Sequence, residues 1–224
     1  MNLPLTEISS MKDPLEREAP DPKKGCGTKY RAILLFGAPG SGKGTQGRLL
    51  GGASGFFHCA CGDVFRSLDV QSPLGQAFTE YSNRGELVPD ELTIQLWQKR
   101  LADHVEELKF LPEEQWLVLD GIPRNRVQAR LMEVFINVER VFHLQCKDPE
   151  LLEKRLGRRA SKSHRPDDRY PEVVRRRLAL FESESVGVLD CYPDSIIKTL
   201  DAAASPQQIH AEILSQILEN LRRG

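Results

Sequence analysis

The sequence contains no uninterrupted apolar run of about 18 residues, so a membrane-spanning helix is not expected. Its first residues show no basic start followed by an apolar core, and do not read as a secretory signal. It has no Cys-x-x-Cys pair. Cys26, Cys59, Cys61, Cys146 and Cys191 are odd in number and scattered, which supports neither a disulfide framework nor a zinc site. A metal shared by Cys59 and Cys61 is a weaker reading than two small semi-buried side chains. A reducing, cytoplasmic compartment fits this usage best. Excess charge is also lacking. The formal net charge of -1 implies no general attraction to nucleic acid or to an anionic membrane. Internal repeats and low-complexity tracts are absent as well.

The chain does have enough apolar material for a core: 40% of its 224 residues are hydrophobic and 28% are charged. That length suits one domain with small insertions. Residues 1–29 stand apart. They hold Pro4, Pro14, Pro20 and Pro22, balance five acidic against five basic residues, and show no sustained apolar period. They read as a flexible extension without a functional signature.

From residue 30 to 224 the text is patterned as one domain. Arg31–Phe36 is a short apolar run ending at glycines, which predicts a buried strand entering a loop. Trp116–Asp120, Val141–Cys146 and Ser195–Leu200 repeat that pattern. Helical patterns lie between them. Leu92, Leu96, Trp97, Leu101, Val105 and Leu108 share one face of a helix that Asp90 is placed to cap. Ser72-Pro73 opens another helix, closed by Gly85. Ser205-Pro206 opens the last, with Ile209, Ile213, Leu214, Ile217 and Leu221 as its buried stripe. Alternating strands and helices predict an α/β fold, a doubly wound parallel sheet covered on both faces.

The first strand runs into Gly37-Ala38-Pro39-Gly40-Ser41-Gly42-Lys43-Gly44-Thr45. Glycines let the backbone aim several N–H groups inward at an anion, and the next helix adds its positive end. Gly37, Gly42 and Lys43 satisfy the G-x-x-x-x-G-K phosphate-loop pattern. Gly44 stands where the general motif has Ser or Thr, and Thr45 follows. This establishes nucleotide binding but not its use.

The spelling of this loop resembles the adenylate kinase family of nucleoside monophosphate kinases. Gly62-Asp63-Val64-Phe65-Arg66, Gly85–Leu92, Asp120-Gly121-Ile122-Pro123-Arg124 with Gln128, and the basic run Lys154–Leu178 agree in order and spacing. The likeness covers about residues 31–222. It implies a P-loop fold with five parallel strands, a helical acceptor-binding segment at about 61–90 and a short lid at about 160–171. The implied reaction is reversible Mg²⁺-dependent transfer of a phosphoryl group from ATP to AMP, yielding two ADP.

By that resemblance, Gly40, Ser41, Gly42, Lys43, Gly44, Thr45, Arg155 and Arg159 hold ATP. Cys61, Arg66, Val88, Arg124, Gln128, Arg165 and Arg177 hold AMP. Lys43, Arg124, Arg159, Arg165 and Arg177 carry the transfer, with Asp120 reaching the metal ion through water. Asp167 and Asp168 would steady the arginines or the closed lid. The chemistry itself demands such a set: phosphoryl transfer crowds negative oxygens, and planar guanidinium forks grip phosphate bidentately. A cover must also exclude water, or ATP would be hydrolysed.

Alternatives remain at single positions. Asp63 and Arg66 also read as a helix cap beside a surface arginine, Asp120 as a turn residue, and Gln128 as a solvent-facing helix residue. Between Asp168 and the Arg-Leu pair at 177–178 there is one residue more than the family spacing. Arg176 and Arg177 are therefore both candidates. Cys61 replaces a hydroxyl-bearing residue, and Ile122 replaces an aromatic one. Gln128, able to donate and accept, favours AMP over UMP or CMP. The rival readings are a UMP/CMP kinase of the same fold and a nucleotide-responsive regulatory module without transfer activity. The expected protein is a cytoplasmic monomer without nucleic-acid or membrane partners.

Overall fold

A computed structural model of the chain describes residues 29–69, 71–84, 86–162 and 170–221. Five strands form one sheet: β1 (Tyr30–Phe36), β2 (Phe56–Ala60), β3 (Trp116–Asp120), β4 (Ile136–Gln145) and β5 (Ile197–Asp201). Their spatial order is β2-β3-β1-β4-β5, and every neighbouring pair is parallel. The fold is thus the expected α/β architecture.

Strand alternation sorts the apolar residues into two layers. Ala32, Leu34 and Phe36 of β1 join Leu117, Leu119 and Val141 in the core of one face. Ile33 and Leu35 join Trp116, Val118, Phe142 and Leu144 on the other. Both faces being covered explains why the strands read as continuous apolar runs rather than alternating ones.

The first face is covered by α2 (Cys61–Arg66), α3 (Pro73–Arg84), α4 (Asp90–Glu106) and α5 (Arg126–Met132). The opposite face packs against α1 (Lys43–Gly51), through Leu50, and the final helix, which buries Ile209, Ile213 and Ile217. Between β4 and β5 lie α6 (Pro149–Lys162) and α7 (Pro171–Leu180), followed by a π turn (Phe181–Ser185) and two 3₁₀ turns. The final helix, α8 (Pro206–Leu221), opens with a reciprocal cap. Ser205 Oγ accepts from the Gln208 N–H, and Gln208 Oε1 accepts from the Ser205 N–H.

Two details of α4 differ from the sequence expectation. Leu108 does not lie on its buried face. The helix stops at Glu106, Leu108 takes a left-handed φ of 55° and is 76% exposed, and Phe110 fills the core instead. The N–H groups of Lys109 and Phe110 both return to the His104 carbonyl, closing the turn. Asp90 is not the cap either. Pro89 occupies the cap position, and Asp90 is the first residue of the helix, its carboxylate turned toward α5. The expected strand at 195–200 begins later, because Asp194–Ile196 forms a 3₁₀ turn.

Candidate active site

The order of strands fixes where ligands can sit. In the spatial order, β1 is central. The chain segments after β2 and β3 emerge on one side of it, and those after β4 and β5 on the other. The crevice beyond the carboxyl ends of the strands, where the winding reverses, is the usual ligand site of such sheets. Here it is a cleft of about 780 Å³, large enough for a ligand of nucleotide size.

The loop after β1 forms its floor. Gly37 has a φ of 144°, and a side chain there would stand 2.4 Å from the Leu144 carbonyl, so only glycine fits against β4. Gly40, Ser41, Gly42, Lys43, Gly44 and Thr45 all line the cleft. Ser41 does so although the residue as a whole is buried. Gly44 has a specific reason to replace the hydroxyl-bearing residue of the general motif. A Cβ at this position would come 3.2 Å from Asp120 Oδ2 and 3.6 Å from the Arg48 guanidinium. The loop therefore depends on glycine to let the β3 carboxylate approach. Gly44→Ala is expected to lower kcat/KM for ATP about 10- to 100-fold by displacing Asp120, with little change in thermal midpoint. Steady-state kinetics beside a melting curve would check it.

Lys43 is the electrostatic centre. Its ammonium donates to the Gly37 and Ala38 carbonyls at 2.6 and 3.0 Å. Burial pushes its pKa down to about 8. The Asp120 carboxylate opposes that shift, while Arg159, Arg124 and Arg177 push in the same direction. Four cations from four segments thus act on one half-buried point: the start of α1, the loop after β3, α6 and α7. Such a cluster is unfavourable without an anion among its members, and a polyphosphate is the anion that fits it.

On one side of the loop, Arg155 donates to the Ala202 carbonyl at 2.7 Å, and Ala202, Ala204 and Pro206 complete that wall. On the other side stand Gly62, Arg66, Val88, Thr93, Arg124 and Gln128. Arg66 pairs with Asp63 on its own short helix. Arg124 Nε donates to the Gly121 carbonyl at 2.9 Å, which holds the side chain across the turn after β3. Gln128 is only 1% exposed yet lines the cleft. It is not the solvent-facing helix residue of the alternative reading.

The placement of Arg176 and Arg177 separates the two candidates. Arg177 lines the cleft and acts on Lys43. Arg176 is not on the cleft wall; it donates at 2.8 Å to Glu86, which is. The expected role of Cys61 needs correcting. Its side chain is 0% exposed and is absent from the cleft wall, and burial raises its thiol pKa to about 11. It is a core residue at the start of α2, which explains why a thiol replaces a hydroxyl there: a buried sulfur needs no hydrogen-bond partner. Arg165, Asp167 and Asp168, together with most of the expected lid, lie outside the described residues.

Several wall residues escaped the sequence reading: Arg48, Thr93, Arg158 and Phe181 line the cleft. Arg158 stood in the basic run, but only the position of α6 against the loop separates it from its solvated neighbours. Asn125, which caps α5 by accepting from the Gln128 N–H, was legible as an Asn before a helical run.

No described helix is long and apolar enough to cross a membrane. Among the described residues, no three His, Cys, Asp or Glu side chains cluster to cage a metal ion. Asp120 ends β3 with its carboxylate close to Gly44 of the phosphate loop.

Known proteins carry the same pattern. The family model described as adenylate kinase matches residues 35–197. An adenylate kinase of a Cyanothece species is 36% identical over 197 residues, covering 85% of this chain and 96% of its own. One from Porphyromonas gingivalis is 36% identical over 166 residues, covering 71% and 81%. One from Mycoplasma pneumoniae is 29% identical over 213 residues, covering 83% and 97%. A phosphate loop flanked by two half-sites, in a chain matched along most of its length, leaves one conclusion: the protein belongs to the adenylate kinase family and is a phosphotransferase of the nucleoside monophosphate kinase class.

Proposed function

We propose that the chain transfers the γ-phosphoryl group of ATP to AMP, reversibly, giving two ADP. The observation that carries this reading is the convergence of Arg124, Arg159 and Arg177 on Lys43 from both sides of the phosphate loop. A protein that only bound ATP would need cations on one side. Here Arg124 belongs to the half-site that follows β3, and Arg159 to the half-site that follows β4.

ATP takes the phosphate loop, its triphosphate on the backbone of residues 40–45 and on Lys43, its base toward Arg155. AMP takes the opposite half-site. Its phosphate meets Arg66 and Arg124, and its base meets Val88 and Gln128. Arg159 and Arg177 lie between, beside the phosphoryl group in flight, and the family likeness assigns Arg165 to the same group. No protein nucleophile is required. The acceptor phosphate oxygen forms the new P–O bond as the β,γ-bridging bond breaks, and the fixed cations offset the charge on the equatorial oxygens.

Asp120 and Thr45 fit a hydrated Mg²⁺. A single carboxylate beside a triphosphate is the coordination this ion prefers, since it keeps most of its waters. When bound, the ion would neutralise part of the triphosphate's charge. We read the protein as a cytoplasmic monomer that contributes to nucleotide biosynthesis, without nucleic-acid or membrane partners.

The test is turnover of ATP with AMP, CMP, UMP and GMP side by side. AMP is expected to give the highest kcat/KM. CMP faster than AMP would replace this reading with the pyrimidine one, and no acceptor-dependent turnover would remove the enzyme claim.

A further inference from the structure

Gln128 is held by more than its own helix. Its amide oxygen accepts the Arg124 backbone N–H at 2.8 Å, and its amide nitrogen donates to Asp90 Oδ1 at 2.7 Å. Asp90 is held in turn. The Asn125 side chain donates to both of its oxygens at 3.0 Å, while Asn125 Oδ1 accepts the Gln128 backbone N–H at 2.9 Å. Asp90 also sits in the first turn of α4, where the helix end favours a negative charge.

The two partners of the Gln128 amide are of opposite and fixed kind. A backbone N–H can only donate, and an ionised carboxylate can only accept. A glutamine amide is nearly symmetric in shape, so packing alone does not decide which end is oxygen and which is nitrogen. Here polarity decides it. An amide has two N–H groups and two lone pairs on oxygen; the Arg124 N–H uses one lone pair and Asp90 uses one N–H. One N–H and one lone pair remain for a ligand in the cleft, in a defined orientation.

That remainder matches one class of base. A 6-aminopurine presents an acceptor at N1 and a donor at the exocyclic amine. A 6-oxopurine presents a donor at N1 and an acceptor at O6, the reverse pattern. A flipped Gln128 would suit the second. We propose that Asp90 is a positioning residue for acceptor specificity: by accepting from Gln128 it fixes the amide in the orientation that selects 6-aminopurine over 6-oxopurine monophosphates. This rests on the reading above that Gln128 faces the acceptor base.

The test compares kcat and KM for AMP and IMP at saturating ATP in four proteins: wild type, D90N, Q128L and the double variant. Asn at 90 keeps the shape of Asp but can also donate, so it removes one of the two constraints on the Gln128 amide and leaves only the Arg124 N–H to oppose a flip. D90N is expected to lower the AMP-to-IMP ratio of kcat/KM about tenfold or more, mainly through a higher KM for AMP, with KM for ATP unchanged. In the Q128L background the same substitution should change the ratio by less than about twofold, because the amide it orients is gone. A merely structural role would lower both rates alike in both backgrounds, and that result, or an unchanged ratio in D90N, overturns the proposal. Wild-type protein that turns over CMP faster than AMP would instead remove the adenylate reading itself, and the proposal with it.

A second measurement does not depend on a folded variant. In isotope-labelled wild type, the Gln128 carboxamide protons should exchange with solvent more slowly than those of exposed Gln95. Equal exchange would show that Asp90 does not hold the amide.

Discussion

Lys43→Met is expected to lower kcat about 10²- to 10³-fold, a loss of about 3–4 kcal/mol in transition-state stabilisation. The ammonium is half-buried, acted on by three arginines, and donates to the carbonyls of its own loop. Desolvation and the three arginines weigh against its charge, and a polyphosphate would offset them. Methionine has a similar length and no charge, so it relieves that burial cost while removing the contact to the transferring group. Turnover should collapse while the thermal midpoint of the unliganded protein stays level or rises. Steady-state kinetics and a melting curve on the same sample check both halves. Loss of activity with a marked loss of stability would mean that Lys43 matters to the fold rather than to the phosphates.

Arg124→Ala should rank second, with kcat/KM for the acceptor falling about 10²-fold or more and KM for ATP changing little. The guanidinium is fixed by the Gly121 carbonyl, so it meets the acceptor phosphate without first being ordered. Only its side chain is lost in the variant. The backbone N–H that holds the Gln128 amide survives, so the AMP-to-IMP ratio should stay as in wild type. Arg124→Lys should recover little of the rate, because a point charge cannot reproduce two parallel contacts to one phosphate. The pairing of a large rate loss with an unaltered base preference separates phosphate recognition from base recognition along five residues of chain. A changed base preference in Arg124→Ala would show that the two functions are not separable.

Four of the five strands and the phosphate loop were legible because they depend on local order in the text, whereas β2, a mostly half-buried edge strand, was not read. A buried parallel strand announces itself as a short apolar run, and the loop after β1 announces itself by glycine spacing. The resemblance to the family then placed Arg66, Arg124, Gln128, Arg155 and Arg159 in one cleft, where the structure also puts them. What sequence reasoning missed depends on contacts between distant segments. Asp90 after Pro89 looks like a cap, and only the approach of α4 to α5 reveals that it serves Gln128, 38 positions away. Cys61 occupies a motif position but turns inward, a choice made by the packing of α2 on the sheet. Leu108 fits the helical period, yet the chain turns back at His104 to bury Phe110 instead. Gly44 follows the family spelling, but its physical reason, the nearness of Asp120, requires β3 to lie next to β1.

The central claim is that a phosphoryl group crosses directly between nucleotides held on the two sides of one loop. Labelling the γ-phosphate of ATP tests this most directly, by following the label with and without AMP. With AMP, the label should appear as the β-phosphate of ADP, with little inorganic phosphate formed. Without AMP, it should stay on ATP, because no acceptor is in reach and water is excluded. Label released as inorganic phosphate at a comparable rate without AMP, or recovered on the protein itself, would contradict direct transfer.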